Sequence, residues 1–273
     1  MNYKISVMKK MILIPLLAGL ILTGCKNNET GTLKISLTDA PFPAEWVSAA
    51  NVTIDQIEIR NSGASDTSKY VVLSEEVQSF NLLDLANGVT ASLVDLEIPV
   101  GNYDLIRLRV SAANVVMTDG MVYTLTIPSG STSGIKVFVN PDIEVSGGVT
   151  SELLLDFDVS KSFTVQGKVT SLSDIKGFHF KPVLRVANVS TTGRITGTVL
   201  QADATGFPGV TVSVIAGDSV LTSAISDTEG KYTILGIPVG IYDLTAEAPN
   251  MEAVTVTGVI VVAGNKTDRD IQF

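Results

Sequence analysis

Two β-sandwich domains in tandem, in an all-β chain, are what this sequence predicts, and three observations carry the prediction. Apolar and polar residues alternate at period two in run after run, as where Leu33, Ile35 and Leu37 sit between Thr32, Lys34, Ser36 and Thr38. Turn residues (Pro, Gly, Asn-Gly, Asp-Gly) separate these runs at short intervals. Beyond residue 25, no segment holds an apolar stripe at 3.6-residue spacing for the length of a packed helix.

Taken in order, the first strand closes at Asp39-Ala40-Pro41, because proline brings no N–H to a ladder. The next run, Val52-Thr53-Ile54 then Ile57-Glu58-Ile59, changes phase around Asp55-Gln56, as an inserted bulge residue would make it. Residues 61–68 are polar and read as a loop. Strands are expected at 70–73 and 77–83, and Asn87-Gly88 is either a turn or the end of a short helical turn capped by its glycine. Val94, Leu96 and Ile98 alternate ahead of the turn Pro99-Val100-Gly101, and a strand follows over 103–110. Asp119-Gly120 predicts a two-residue hairpin between Val115-Val116-Met117 and Met121-Val122-Tyr123. Strands at 123–127, 135–139, 153–159, 163–166 and 178–186 complete a domain over 31–187.

The polar stretch 188–193 reads as a linker. Beyond it, about seven short strands in some 80 residues predict a small sandwich over 194–273. Ile98-Pro99-Val100-Gly101-Asn102-Tyr103-Asp104-Leu105 recurs there as Ile237-Pro238-Val239-Gly240-Ile241-Tyr242-Asp243-Leu244. Each copy is a tight turn feeding a strand whose first tyrosine needs a hydroxyl partner, so the tyrosine is expected to pin the turn. Ile271-Phe273 is expected to hold the C-terminus in the sheet.

The N-terminus carries a different signal. Lys9 and Lys10 precede an apolar run from 11 to 22, too short for a spanning helix of roughly 20 residues and interrupted by Pro15. Cleavage as a secretory signal peptide over 1–24 is the expectation. Leu22-Thr23-Gly24-Cys25 resembles the lipobox of bacterial lipoproteins. That resemblance implies cleavage between Gly24 and Cys25, with a diacylglycerol and an N-acyl group on Cys25, and residues 25–30 as a lipidated tether. The membrane is then a partner through lipid, since stable anchoring takes more than one acyl chain. No other cofactor is expected.

Loss of Lys4, Lys9 and Lys10 with the leader takes the net charge from −9 to −12. That acidic balance argues against nucleic acid, whose phosphates need clustered Lys and Arg. Cys25 is the only cysteine, so no disulfide forms within the chain.

Residues 194–273 resemble the carboxypeptidase regulatory-like family, a transthyretin-like and Cna-B-like sandwich. The matching pieces are Gly197-Thr198-Val199, Phe207-Pro208-Gly209-Val210-Thr211-Val212, Ser226-Asp227-Thr228-Glu229-Gly230-Lys231-Tyr232 and the Ile237–Leu244 motif. The resemblance implies turns and core positions rather than catalysis, and a carbohydrate-binding-like fold in some relatives. The first domain is similar to an uncharacterised lipoprotein family, domain of unknown function family 4382. The carriers are Gly31-Thr32-Leu33, Leu37-Thr38-Asp39-Ala40-Pro41, Val52-Thr53-Ile54-Asp55, Asn81-Leu82-Leu83-Asp84-Leu85, Pro128-Ser129-Gly130, Leu155-Asp156-Phe157-Asp158 and Lys181-Pro182-Val183. That family supplies no functional residues to carry over.

Candidate chemistry is sparse. Asp156 and Asp158 share one face of a strand and, with Asp39 or Asp84 brought near, would offer carboxylates to Ca²⁺; a solvated face paired with Lys161 is the expected reading. His179, the only histidine, alternates with Phe178 and Phe180 and belongs on a polar face. No nucleophile elbow, phosphate loop or metalloprotease motif is present. Trp46 is either a core plug or a sugar-stacking residue in a loop. The expected function is non-catalytic: a lipid-anchored protein of a Gram-negative cell envelope, at the outer membrane and on either of its faces, binding glycan or protein. The alternatives are a structural spacer or assembly subunit joined by strand pairing and, less favoured, an enzyme acting on glycans.

Overall fold

The computed structural model describes residues 29–40, 46–64, 69–127, 133–167 and 174–273. Gly24 and Cys25 lie outside them. The strands of the first domain are β1 (Thr30–Ala40), β2 (Val47–Asn61), β3 (Tyr70–Ser74), β4 (Gln78–Asn81), β5 (Ala91–Pro99), β6 (Gly101–Met117), β7 (Val122–Thr124), β8 (Ile135–Val145), β9 (Thr150–Asp158), β10 (Phe163–Val165), β11 (Phe178–Phe180) and β12 (Leu184–Asn188). The second domain holds β13 (Thr192–Leu200), β14 (Thr211–Ala216), β15 (Ser219–Ile225), β16 (Lys231–Pro238), β17 (Gly240–Glu247), β18 (Val254–Val261), β19 (Lys266–Asp268) and β20 (Ile271–Gln272). The α-helix Val159–Ser162 is a single turn. The chain is all-β.

In the first domain a four-stranded sheet, β12-β9-β1-β5, packs on a larger one in which β3, β2, β6 and β7 are successive neighbours. There β4 adds to β2 and β8 to β6. The pair β1–β9 is parallel, which no hairpin can make; the other pairings are antiparallel. Leu33, Ile35 and Leu37 point into the core with no exposed surface, as their alternation requires. The register of β2 on β6 shifts on either side of Ile54, where the sequence changes phase. The outer face of that pair carries ion pairs, Arg109–Asp55 and Arg107–Glu58 among them, and the Arg107 guanidinium lies 4.2 Å above the Tyr70 ring.

Several expectations change: residues 82–85 form a 3₁₀ turn instead of the end of a strand over 77–83, and the strand expected over 123–127 stops at Thr124. The run 178–186 is not one strand: it breaks at Lys181–Val183, where Pro182 has no N–H to donate. There the Ser162 hydroxyl accepts from Val183 N at 2.8 Å and Asp158 N donates to Val183 O. The stretch 188–193 is a compact joint: Asn188 ends β12 and caps a 3₁₀ turn, Val189–Thr191, and Thr192 already opens β13. A tether there would be longer and free of strand pairing.

The second domain packs β16-β13-β19 against β15-β14-β17-β18, with β20 parallel to β13. Its core is separate from that of the first domain and centres on Tyr232, Val199, Val212 and Leu244. The repeated motif behaves as its chemistry predicts. Tyr103 donates to Pro99 O at 2.7 Å and Tyr242 to Pro238 O at 3.0 Å, each reaching four residues back to hold its turn. The two are unequal, because Tyr103 is fully buried and Tyr242 half-exposed. Tyr103→Phe should therefore destabilise by about 1 kcal/mol and Tyr242→Phe by a few tenths, measured by urea unfolding.

Candidate functional site

The joint between the domains gathers the buried polar groups that sequence reading places on the surface. Asp158 behaves as expected of a paired carboxylate. Its Oδ1 caps the one-turn helix by accepting from Lys161 N at 2.9 Å, and its Oδ2 lies 2.8 Å from Lys161 Nζ.

Asp156 does not face solvent: it is 5 % exposed, because the second domain lies over the outer face of the β12-β9-β1-β5 sheet. Arg185 stands directly opposite it on β12. Its NH2 and Nε donate to Asp156 Oδ2 at 2.7 and 3.3 Å, and its NH1 donates across the joint to Gly236 O at 2.5 Å. From the second domain, Thr222 on β15 adds its hydroxyl to the same carboxylate oxygen at 3.0 Å. Leu154 and Ala187 flank this pair, both 5 % exposed and in neither domain's core, and they pack where Gly236 brings β16 close. Asp156 Oδ1 has no partner. Beside it a cavity of about 10 Å³, lined by Thr38, Asp39, Thr222, Ser223 and Thr233 among others, has room for one water.

Asn87-Gly88 completes the joint. Both residues have positive φ, 57° and 83°, so the pair is a turn. That conformation aims the Asn87 amide along β16, an edge strand of its sheet: Nδ2 donates to Lys231 O at 3.2 Å and Oδ1 accepts from Thr233 N at 2.6 Å. A side-chain amide thus takes the place of a neighbouring strand's peptide.

Around Asp39, burial is the largest influence and pushes the carboxyl well above the ordinary range, with the charges of Asp156 and Asp158 adding to it. Val159 N, donating to Asp39 Oδ1 at 3.2 Å, opposes them. Among the described residues no group of three or more His, Cys, Asp or Glu is placed to hold a metal ion. The weak Ca²⁺ pair is also divided: Asp156 is taken by Arg185 and Asp158 by Lys161. Asp84 is exposed in the 3₁₀ turn Leu82–Leu85.

His179 is exposed between buried Phe178 and Phe180, its Nδ1 3.4 Å from Gln166 Nε2. It lines a surface cleft of about 450 Å³ with Tyr123, Thr124 and Lys176, and none of the residues lining that cleft is acidic. Trp46 is half-buried against the first core. The residues missed by sequence reading were Arg185, Asn87 and Thr222. Arg185 was the visible one, a lone charge in Val183-Leu184-Arg185-Val186-Ala187.

One further surface stands out. β18 is the outermost strand of its sheet, and residues 253–265 contain no charged side chain. Ile241 and Ile260 are directly opposed across β17–β18, 71 % and 59 % exposed. Natural edges are usually blunted by lysine, proline, a bulge or a cover. β18 has a bulge at Gly258, whose φ is 72°, and the Thr267 hydroxyl donates to Ile260 O, but the strand has no charge or proline.

Comparison with known proteins gives two family matches. The model described as Domain of unknown function (DUF4382) matches residues 30–182, and that described as Carboxypeptidase regulatory-like domain matches residues 194–273. No curated protein matches the sequence. Among solved structures, the chain is similar to the TIE protein of Bacillus anthracis at 11 % identity, over 92 % of this chain and 41 % of that one, with a TM-score of 0.25. It is similar to a minor pilin of Streptococcus agalactiae at 9 % identity, over 88 % and 94 %, with a TM-score of 0.24. For the pilus backbone protein of Streptococcus pneumoniae the values are 12 %, 91 %, 64 % and 0.25.

Proposed function

This chain belongs to the DUF4382 family, with a carboxypeptidase regulatory-like domain behind the family domain, and on that premise we propose a non-catalytic, lipid-anchored envelope module that binds protein. The partner adds an extended strand to β18. One observation carries the reading: an uncharged edge of β-branched residues, with Ile241 and Ile260 exposed beside it, in a chain of net charge −9. Backbone N–H and C=O groups along such an edge supply affinity, and alternate side chains supply selectivity. The closed joint supports the same reading, since it presents the edge on a body of fixed shape rather than on a swinging domain. Support for the anchor is the sequence Leu22-Thr23-Gly24-Cys25. Absence of catalysis is supported by the carboxylates of Asp55, Glu58, Asp104 and Asp156, each of which is committed to an arginine.

Two experiments test this. Protease shaving of intact cells should cleave the wild-type chain from a membrane fraction, and Cys25→Ala should be released or mislocalised. Wild type and variant fractionating alike would remove the anchor. A cysteine placed at Thr257 should cross-link to its partner in cells, with Ile241→Lys and Ile260→Lys each suppressing the product while shifting stability by no more than about 0.5 kcal/mol. Cross-linking indifferent to both lysines would remove the edge.

A further inference from the structure

We propose that Asp39 is a neutral carboxylic acid in the folded protein, and that its ionisation as pH rises loosens the end of the parallel β1–β9 pair. The inference is independent of the binding edge.

Asp39 continues the inward series Leu33, Ile35 and Leu37 on β1, and at the end of the strand it is buried beside the small cavity that it lines with Thr38 and Asp156. It is 5 % exposed. One oxygen, Oδ1, accepts from Val159 N; the other, Oδ2, is buried with no partner. An ionised carboxylate offers about four acceptor sites and is strongly disfavoured without donors or a cation, whereas a neutral acid leaves only one hydroxyl to satisfy.

The charged groups around it make the anion worse. Asp156 and Asp158 on β9 both act on it with like charge. The cations on neighbouring elements are engaged elsewhere: Lys161, in the turn after β9, holds Asp158, and Arg185 on β12 holds Asp156. On β1 itself Lys34 pairs with Asp95 of β5. Across the joint, Thr222, Ser223, Thr233, Ile234 and Leu235 bring no titratable side chain. The upward displacement of the Asp39 carboxyl, led by burial, agrees with this geometry.

The sign follows from linkage. A carboxyl whose folded value is raised binds more proton folded than unfolded between the ordinary aspartate value, about 3.9, and its own. Its contribution is therefore fully present below about 3.9 and is lost as pH rises through the folded value. Within that window this single group multiplies the unfolding constant about tenfold per pH unit. Carboxylates held by arginine, such as Asp104, whose value Arg60 lowers, act with the opposite sign, so a subtraction is needed.

Asp39→Asn supplies it, since the amide keeps an oxygen for Val159 N and cannot ionise. Urea unfolding of the full-length chain from pH 5 to 9 should show the variant gaining on wild type with each pH unit across the window. Parallel curves for the two proteins would overturn the proposal. The second measurement needs only wild type, through the carboxyl ¹³C resonance of labelled aspartate. At pH 5, where an ordinary aspartate is ionised, Asp39 should still give the neutral-acid shift, and a carboxylate shift there would overturn the proposal even were Asp39→Asn to misfold.

Discussion

Arg185→Met is expected to lower stability by about 3 kcal/mol, the low end for breaking a buried ion pair, because Arg185 keeps 23 % of its side chain exposed while Asp156 keeps 6 %. The loss has two parts. Asp156 remains buried with Thr222 alone as donor, and Gly236 O loses the guanidinium that tied it to the first domain. Both fall at the joint, so amide exchange at Thr233, which donates to Asn87 Oδ1, should rise together with the drop in urea midpoint. The double variant Arg185→Met/Asp156→Leu should recover most of the loss, since replacing both members of a buried pair by apolar residues is often neutral. A single variant that unfolds like wild type would mean that the pair adds nothing to docking.

Gly197→Ala is the second large effect, also about 3 kcal/mol, at the upper end of the usual penalty for overpacking. A Cβ at Gly197 would stand 1.8 Å from Arg269 O and 2.9 Å from Tyr232 Cε1. Neither neighbour can retreat. Arg269 N donates to Thr196 O at 2.8 Å, and the Tyr232 hydroxyl, itself 1 % exposed with its ring, donates to Arg269 O at 2.5 Å. Burial raises the Tyr232 phenol well above its ordinary value, so this hydroxyl stays a donor across the accessible pH range. Gly147→Ala, where the added carbon meets only the Glu29 side chain at 3.5 Å or beyond, should change stability by no more than about 0.5 kcal/mol. Urea midpoints of the two variants measure the contrast.

Much of the architecture was legible in advance, for reasons particular residues make plain. Leu33, Ile35 and Leu37 face inward because successive side chains of a strand alternate sides wherever the strand is placed. A hairpin does join β6 to β7 at Asp119-Gly120, but Met117 faces Met121, so its loop is the three residues 118–120, a turn closed by Gly120 at a φ of 88°, and not the two-residue turn expected. Tyr103 and Tyr242 hold their turns through contacts only four residues away. The broken run at Pro182 was harder: its flanks are apolar enough to read as one strand, and the missing N–H matters only once the ladder is built.

The candidate site was less legible, since its contacts span the chain. Asn87 meets Lys231 and Thr233, 144 and 146 positions away, and Asp156 meets Thr222, 66 positions away. Asp156 and Asp158 are equivalent in sequence, two apart on one strand, yet one is a buried interdomain partner and the other a surface cap. The sequence by itself determined the strands, the turns, the family of each half and the lipid-anchor expectation at Cys25, because each depends on residues close together in the chain. Only the tertiary structure decided that 188–193 is a tight joint, that Arg185 bridges two domains and that Asp39 is buried beside that joint. Burial is set by whatever packs on top, and no local pattern carries that information.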